Sequence, residues 1–478
     1  MGGSSESPLL QPETESAPRR PRPRDARGEN ADPLERLTKL LADLGGGGGG
    51  DSGSDNDNDS DGNEPRGASG LLRRLARANG GRPGLTKNKK QWSPLHVAAQ
   101  DGKLVVARAL LQRGGFVDPR EDDNWTPLIL AAQNGHIEMV TLLLEYGADI
   151  DARANDDRTA LFQAAQRSNH EMVRLLLSHK PNVNLALKEG STPLWMAVNK
   201  ACDKRDGDGD GDANAKPSRG GPASATVLLL LRAGADVNRA DGLGISPLSL
   251  AVLRKNMEIA EMLLQHGADV NCVDGLQAHT PLINAAINQN PELVRLCLAH
   301  GANVHATERQ GWTALHVAVR KMGPSTAEVV RQLIKAGANV HAQTNEGGLV
   351  MQIAAQEGFT ELVRLLVELG HADVNVPGRS QRTTLFSAVA NGHVETFHYL
   401  VDRGAKLNVV DQNGTTLIHM AASQTDTDFL REVVTMCVRA GVDIDVATTD
   451  KNLTALHIAS MSDDESVALA LLDLGAAP

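Results

Sequence analysis

Residues 124–151 read NWTPLILAAQNGHIEMVTLLLEYGADID and contain the pattern on which the fold of this chain depends. Thr126 is placed to cap a helix whose first residue is Pro127, a position where the missing backbone N–H costs nothing. Apolar residues at helical spacing then indicate a second helix, which begins near His136 and ends at Gly147. The stretch therefore predicts two short helices followed by a turn.

The same pattern occurs eleven times along the chain, and its first copies follow one another in steps of 33 residues. A period of this length is typical of units that bury an apolar core only when they stack on their neighbours. The positions that align with Pro127 are Pro94, Pro127, Ala160, Pro193, Pro247, Pro281, Ala314, Val350, Thr384, Leu417 and Ala455.

The phrases SPLHVAA from Ser93 and GADVN from Gly234 resemble those of the ankyrin repeat. This family builds each repeat from a β-turn finger and two antiparallel helices. The resemblance covers residues 93–478 and implies an all-α repeat solenoid. It also implies that partners bind on a concave surface made by the finger tips and the inner helices.

The rest of the chain departs from this pattern. Residues 1–70 are rich in Pro, Gly, Ser and Asp, a composition that predicts a disordered low-complexity tail. The Leu and Ala pattern of residues 71–92 predicts a half-repeat cap before the first full copy. An acidic, Gly-rich insertion lies at about 202–222, between the two predicted helices of the fourth repeat. We expect this insertion to be a solvated loop.

Three repeats have unusual sequences. Repeat three closes with Lys180-Pro181 where Gly-Ala is expected, which predicts a strained helix end and, beside the insertion, a weak point in the array. Repeat eight has Leu349-Val350-Met351-Gln352 in place of TPLH, so we expect a helix with an altered hydrogen-bond network. Leu469 and Leu474 in repeat eleven predict an exposed apolar face, and with it a covering segment or partner, or a longer natural chain.

The composition limits the classes of function. The net charge of −11 argues against direct nucleic-acid binding. The sequence has no apolar run long enough to span a membrane, and its four cysteines are widely separated, so we expect a reducing, cytoplasmic location without membrane insertion. The basic clusters Arg73-Arg74 and Lys87, Lys89 and Lys90 have the spacing of a bipartite nuclear import signal, so nuclear localisation is the alternative.

Residues that could carry chemistry have simpler explanations. The histidines at the fourth position of the TPLH phrase are expected to bond between fingers, as in the resembled family; they are His96, His316, His419 and His457. Asp206, Asp208 and Asp210 match the opening of a calcium-binding loop, but Pro217 stands where a bidentate Glu is required. The sequence predicts no metal site, no cofactor and no enzyme.

The candidate partner-binding residues lie in the predicted fingers. The aromatic ones are Trp92, Trp125 and Trp312, and the basic ones are Arg309, Arg379 and Arg382. The alternative for each Trp is that it only packs on the adjacent finger.

Four further residues are candidates for modification. Asn238 and Asn271, each following a Leu eight residues earlier, resemble sites of asparaginyl hydroxylation in ankyrin fingers; the alternative is an Asn tolerated in a turn. Ser52 and Ser54 lie in an acidic stretch and are candidate phosphorylation sites.

These features together predict a non-catalytic scaffold or adaptor that binds other proteins. Two alternatives remain at this point. One is the recognition arm of a larger assembly, such as a ubiquitin ligase, a kinase or a channel, and the other is a nuclear transcriptional cofactor. The sequence leaves the identity of the partner and the oligomeric state open, because ankyrin fingers bind unrelated targets.

Overall fold

The computed structural model of the chain describes residues 92–203, 221–320, 322–462 and 465–478. These residues form 22 α-helices and no β-strand, which confirms the all-α repeat solenoid. The predicted tail, the predicted cap before Trp92 and most of the insertion lie outside the described residues. The candidate sites Ser52 and Ser54, the basic clusters and the Asp206–Asp210 run lie outside them as well.

Each repeat begins with a short inner helix that follows a Thr or Ser cap in most copies. Thr126 has extended backbone, and its Oγ1 accepts a hydrogen bond from the backbone N–H of Ile129 at 3.4 Å. The inner helices are α1 (Pro94–Gln100), α3 (Pro127–Gln133), α5 (Ala160–Gln166), α7 (Pro193–Cys202), α9 (Pro247–Leu253), α11 (Pro281–Ile287), α13 (Ala314–Val319), α15 (Val350–Gln356), α17 (Thr384–Ala390), α19 (Leu417–Ala421) and α21 (Ala455–Ser460).

The second helix of each repeat packs against its own inner helix and against the outer helices of the neighbouring repeats. Its apolar stripe is buried, as with Met139, Val140 and Leu143 in repeat two. The outer helices are α2 (Leu104–Gln112), α4 (Ile137–Glu145), α6 (His170–Ser178), α8 (Pro222–Arg232), α10 (Met257–Gln265), α12 (Pro291–Ala299), α14 (Thr326–Lys335), α16 (Thr360–Glu368), α18 (Val394–Asp402), α20 (Thr427–Arg439) and α22 (Glu465–Asp473).

The core is thin because small side chains lie where inner helices meet. Ala131 and Ala132 of α3 are buried, as are Ala164 and Ala165 of α5, and these two helices are in contact. Alanine has no side-chain rotamer entropy to lose and allows close approach of two helix backbones. The AA pair of the repeated phrase therefore sets the spacing between neighbouring repeats.

Histidine side chains join each of three inner helices to the following finger. His96, His316 and His419 are fully buried, and their Nε2 atoms lie 3.0, 3.4 and 3.0 Å from the carbonyl oxygens of Trp125, Gly348 and Leu453. A carbonyl accepts only, so Nε2 carries the proton and the neutral ring accepts at Nδ1. Burial lowers the pKa of all three histidines.

Repeat eight uses glutamine for the same connection. Its helix α15 forms as expected, and Gln352 Oε1 accepts from the backbone N–H of Leu349 at 3.3 Å. The amide nitrogen of Gln352 donates to the carbonyl of Arg382 in the next finger. The hydrogen-bond network is therefore altered, as predicted, because an amide replaces the imidazole. It still joins the start of the inner helix to the next finger, as a histidine does in other repeats.

Repeat three has the unfavourable closure that its sequence predicts. Lys180 has a φ of 55°, in the left-handed region where Gly147 has a φ of 81° in repeat two. A side chain with a β-carbon is disfavoured in this region by about 1–2 kcal/mol. Beside the insertion, Asn256 Nδ2 donates to the carbonyl of Ala201 at 2.9 Å and so ties the end of α7 to repeat five.

We expect Lys180→Gly to stabilise the array. Removal of the β-carbon relieves the left-handed strain, and the free energy of unfolding should rise by about 1 kcal/mol. Urea unfolding followed by circular dichroism measures this change. Lys180→Ala is the matched control, because it removes the charge and keeps the β-carbon; an equal gain in both variants would contradict the backbone explanation.

We also expect stability to fall in mild acid because of the buried histidines. Their pKa is lower in the folded chain than the value of about 6.5 in the unfolded chain, so the unfolded chain binds more protons below that pH. The free energy of unfolding should therefore decrease as the pH falls from about 6.5 toward the folded pKa. Urea midpoints at a series of pH values between about 8 and 5.5 measure the slope.

His316→Gln provides the control for this pH dependence. Glutamine makes the same connection in repeat eight and does not titrate, so this variant should keep the fold and lose part of the slope. If the slope were unchanged in His316→Gln, the titration of this histidine would not be its cause.

Candidate partner-binding surface

The fingers are the loops that connect an outer helix to the inner helix of the next repeat, and a buried side chain organises several of them from within. In the finger of repeat two, Glu121 Oε1 accepts from the backbone N–H groups of Asp123 and Trp125 at 2.9 and 3.1 Å. In the finger of repeat seven, Glu308 Oε1 accepts from Gln310 and Trp312 at 2.8 and 3.0 Å. These bonds fix the backbone of each finger and leave its tip to the solvent.

Neighbouring fingers are joined through their backbones. The N–H of Asn155 donates to the carbonyl of Asp123 at 2.8 Å, and the N–H of Asn345 donates to the carbonyl of Gln310 at 2.9 Å. The same type of bond links Gln412 to Ser380 at 3.0 Å. Because these bonds use the main chain, the side chains at the tips can vary without loss of the connection.

The three predicted finger tryptophans are half-buried, and the rings of two of them lie close to a histidine of the helix that follows. The ring of Trp92 lies 6.1 Å from the ring of His96, and the ring of Trp312 lies 5.9 Å from that of His316. The guanidinium of Arg320 lies 5.5 Å from the centre of the Trp312 ring. The rings of Trp92 and Trp312 therefore pack on their own repeats, and all three tryptophans still present part of their surface. A role in partner binding stays a prediction.

The fourth tryptophan, Trp195, is part of the core and was not among the predicted site residues. It is 3% exposed, and its Nε1 donates to the carbonyl of Ile245 at 3.0 Å. The sequence could have indicated this burial, because Trp195 lies inside the repeated phrase at the position that Ile129 and Phe162 occupy in other repeats, and both of those residues are buried. Its bond partner is 50 residues away in sequence, beyond the insertion.

The three predicted arginines have different surroundings: Arg309 lies on the finger of repeat seven, and Arg379 and Arg382 lie on that of repeat nine. Arg309 is exposed, and its Nη2 donates to the carbonyl of Gly275 on the preceding finger at 2.6 Å. Arg379 is exposed and pairs with Glu346, also exposed, at 2.7 Å. An ion pair of this kind contributes little to stability and can be exchanged for a partner's carboxylate.

Arg382 has an internal partner. Its Nε and Nη2 lie 3.0 and 2.9 Å from Oδ2 of Asp411, whose side chain is fully buried. Burial by itself raises the pKa of Asp411, but the backbone amides of Thr415 and Asn413 and the Arg382 guanidinium lower it overall. The arginine thus joins two fingers, and only its exposed part is open to a partner.

The two predicted hydroxylation sites hold successive turns together. Asn238 Oδ1 accepts from the N–H of Asp269 at 2.8 Å, and Asn271 Oδ1 accepts from the N–H of Asn303 at 2.7 Å. Both residues are exposed. These hydrogen bonds are a structural reason for an Asn at both positions. Hydroxylation remains a prediction.

The described residues include possible metal ligands and four thiols. No group of three or more His, Cys, Asp or Glu side chains among them is arranged to hold a metal ion. All four cysteines are free, and burial raises the pKa of Cys202, Cys297 and Cys437 to about 12. These three thiols remain protonated at neutral pH. No helix in the described part of the chain is long and apolar enough to cross a membrane.

Comparison with known proteins agrees with this architecture. A family model for ankyrin repeats in three copies matches residues 66–154, 268–344, 322–411 and 403–478. Two further models, for many copies and for a single ankyrin repeat, match residues 135–177 and 243–275.

A mouse protein, the B-cell lymphoma 3 protein homolog, is 31% identical over 111 residues. The match covers 23% of this chain and 25% of the mouse protein, so the chain spans about a quarter of that relative's length. Ankyrin repeats generally mediate contacts between proteins, and proteins built from them are typically non-catalytic. The family models match more than half of the residues, and the chain belongs to the ankyrin-repeat family.

Proposed function

We propose that this chain is a non-catalytic scaffold or adaptor that binds other proteins through its finger tips and inner helices. The observation that carries the proposal is the repeated order of a buried anchor followed by exposed tip residues. After the buried Glu308 come the exposed Arg309 and Gln310, and after the buried Asp411 comes the exposed Gln412. A fixed backbone that presents variable side chains suits recognition at a small cost in ordering entropy.

The exposed tips differ in charge along the array, which supports selectivity for a partner. The tip of finger two carries Asp122 and Asp123, whereas fingers seven and nine carry Arg309 and Arg379. Their carboxylates and guanidiniums favour different segments of a bound protein. A partner that spans several fingers would therefore present basic groups toward repeat two and acidic groups toward repeats seven to nine.

The location that we propose for this scaffold is the cytoplasm, with the nucleus as the alternative. Four free cysteines, three of them buried with raised pKa values, support a compartment in which thiols stay reduced. The basic clusters that motivate the nuclear alternative lie outside the described residues.

The finger tryptophans are the first residues to test. We expect Trp125→Ala combined with Trp312→Ala to remove partners that dock on the fingers, because a desolvated Trp typically contributes about 2 kcal/mol or more to binding. This corresponds to a loss of affinity of about 30-fold. Proximity labelling in cells, with the labelling enzyme fused to the intact chain and to each variant, measures the loss.

Tyr146→Ala is the matched control, because Tyr146 is a partly exposed aromatic residue, 39% exposed, that follows an outer helix. It should leave the labelled set unchanged. Circular dichroism of the purified double variant must show the helix content of the intact chain, since the Trp312 ring also lies near His316 and Arg320 of its own repeat. An unchanged set of neighbours in a folded double variant would show that these rings are not the anchors.

A further inference from the structure

Fingers four to seven differ from one another in the residue that directly follows the buried anchor. In fingers four and seven this residue is exposed and basic, Lys188 and Arg309. In fingers five and six it is glycine, Gly242 and Gly275. The four anchors are Leu187, Asp241, Asp274 and Glu308, and all are buried. Polar or charged side chains occupy the same position in other fingers, namely Asp122, Asn155, Asn345, Arg379 and Gln412. Fingers five and six therefore leave a gap in the row of tip side chains.

Close contact between the finger backbones explains the two glycines. The N–H of Gly242 donates to the carbonyl of Glu189 in finger four, and the N–H of Gly275 donates to the carbonyl of Leu243 in finger five at 2.9 Å. A β-carbon at either glycine would lie 2.6 Å from the carbonyl oxygen that accepts from it. A side chain therefore cannot fill the gap unless one of the fingers shifts.

Aliphatic side chains lie beside this gap. Leu243 follows Gly242, Leu276 follows Gly275, and both leucines are partly exposed. Val273, directly before the anchor of finger six, is 57% exposed. We call these five residues the glycine notch. The position of Leu243 is polar in several other fingers, where it is Asp123, Asp156 and Gln310. The notch is therefore an apolar stretch within a polar row of tips.

The inner helices of the same two repeats also end on aliphatic residues. Leu253 ends α9, and the partly exposed Ile287 ends α11. The corresponding residues of α3 and α5 are Gln133 and Gln166. Repeats five and six are therefore less polar than their neighbours on both parts of the proposed binding surface.

A basic side chain stands on each side of the notch. Arg309 Nη2 donates to the carbonyl of Gly275 at 2.6 Å, and because a carbonyl is neutral, the guanidinium keeps its charge at the edge of the notch. Neither Lys188 nor Arg309 forms an ion pair with any residue that the structure describes. Glu189, also exposed, follows Lys188 and weakens the positive potential at finger four. The two ends of the notch thus favour carboxylates, and the end at finger seven does so more strongly.

The spacing of the fingers favours one form of ligand. Packed helices of neighbouring repeats lie about 8–10 Å apart. A polyproline II segment has three residues per turn and rises about 3.1 Å per residue, so every third side chain returns to the same face after about 9 Å. Such a segment lying along the row would place one side chain against each finger. A β-strand repeats its face after about 7 Å and would lose this register over four fingers.

We propose that the glycine notch binds a polyproline II segment of another protein in which acidic, apolar, apolar and acidic residues occupy every third position. The two apolar side chains contact Leu243, Val273 and Leu276, and the outer carboxylates pair with Lys188 and Arg309. This inference rests on the proposed scaffold function and names the chemistry of one ligand. The pattern reads the same in both directions, so the charges leave the direction of the bound segment open.

A synthetic peptide with this pattern tests the proposal on the full chain. Fluorescein-labelled EPPLPPLPPE should bind saturably in a fluorescence anisotropy titration, since its prolines favour polyproline II and exclude a helix. The peptide EPPSPPSPPE should bind at least about tenfold more weakly, because it lacks the two apolar side chains. Equal affinity for the two peptides, or binding of neither, would overturn the proposal.

Leu243→Ser combined with Leu276→Ser should weaken binding of EPPLPPLPPE by at least about tenfold. These changes keep the backbone bond between fingers five and six, which uses the Leu243 carbonyl. Val410→Ser is the matched control, because Val410 is an aliphatic residue on the finger of repeat ten and is 54% exposed. This control should bind as the natural chain does. An equal loss in the control and in the double variant would contradict a site at the notch.

A charge exchange tests the contact at finger four. Lys188→Glu should weaken binding of EPPLPPLPPE severalfold and should strengthen binding of KPPLPPLPPE, in which one glutamate is lysine. Glu189→Gln should strengthen binding of EPPLPPLPPE, because it removes a carboxylate that repels the peptide. If Lys188→Glu weakened binding of both peptides equally, its charge would not pair with the ligand and the proposed register would be wrong.

Photo-crosslinking tests the natural partner. A crosslinking residue at position 276 of the full chain in cells should form an adduct with another protein, at a segment that has the proposed spacing. A crosslinking residue at position 410 should not form this adduct. An adduct within the chain itself, or at a helix of the partner, would overturn the proposal.

The tryptophan variants separate this inference from the scaffold function. If Trp125→Ala with Trp312→Ala removes labelled neighbours while EPPLPPLPPE fails to bind, the scaffold function is supported and the notch proposal is overturned. If the peptide binds with the expected dependence on Leu243 and Leu276 while the labelled set is unchanged, the notch is supported and the tryptophans are not the anchors.

Discussion

The contact between the start of an inner helix and the next finger is the interaction on which the rest of the array depends. A buried imidazole or amide accepts hydrogen bonds from its own helix cap and donates to a carbonyl of the following finger. In repeats one, seven, eight and ten, one side chain thus joins the start of the inner helix to the following finger. An unpaired polar group in this buried place would be costly, so the contact must be made in full or replaced in full.

The binding surface follows from this constraint. Side-chain anchors and backbone hydrogen bonds between fingers hold the loops in place. The side chains at the tips therefore contribute little to the stability of the fold. Their side chains are exposed and differ in charge, whereas the anchor beneath them is buried. The same division explains why arginines of similar appearance in sequence have different roles. Arg379 pairs with an exposed carboxylate, and Arg382 neutralises a buried one.

The helical repeats and the strained closure at Lys180 were predictable from sequence because both depend on local chemistry. Capping residues, apolar spacing and the preference of Gly for positive φ act within a few residues of each other. The core position of Trp195 and the role of Arg382 were not predicted. Each depends on a partner that the fold brings from another finger, Ile245 for the first and Asp411 for the second.

The sequence by itself determined the number of repeats, their two-helix construction and the places where the pattern breaks. Only the tertiary structure decided which polar side chains are already occupied by a neighbouring repeat and which remain open to a partner. The physical reason is that burial in this array comes from stacking, so the same residue type is buried where a repeat follows and exposed where none covers it. His419 and His457 have the same place in the pattern, and only the first is covered by a following repeat.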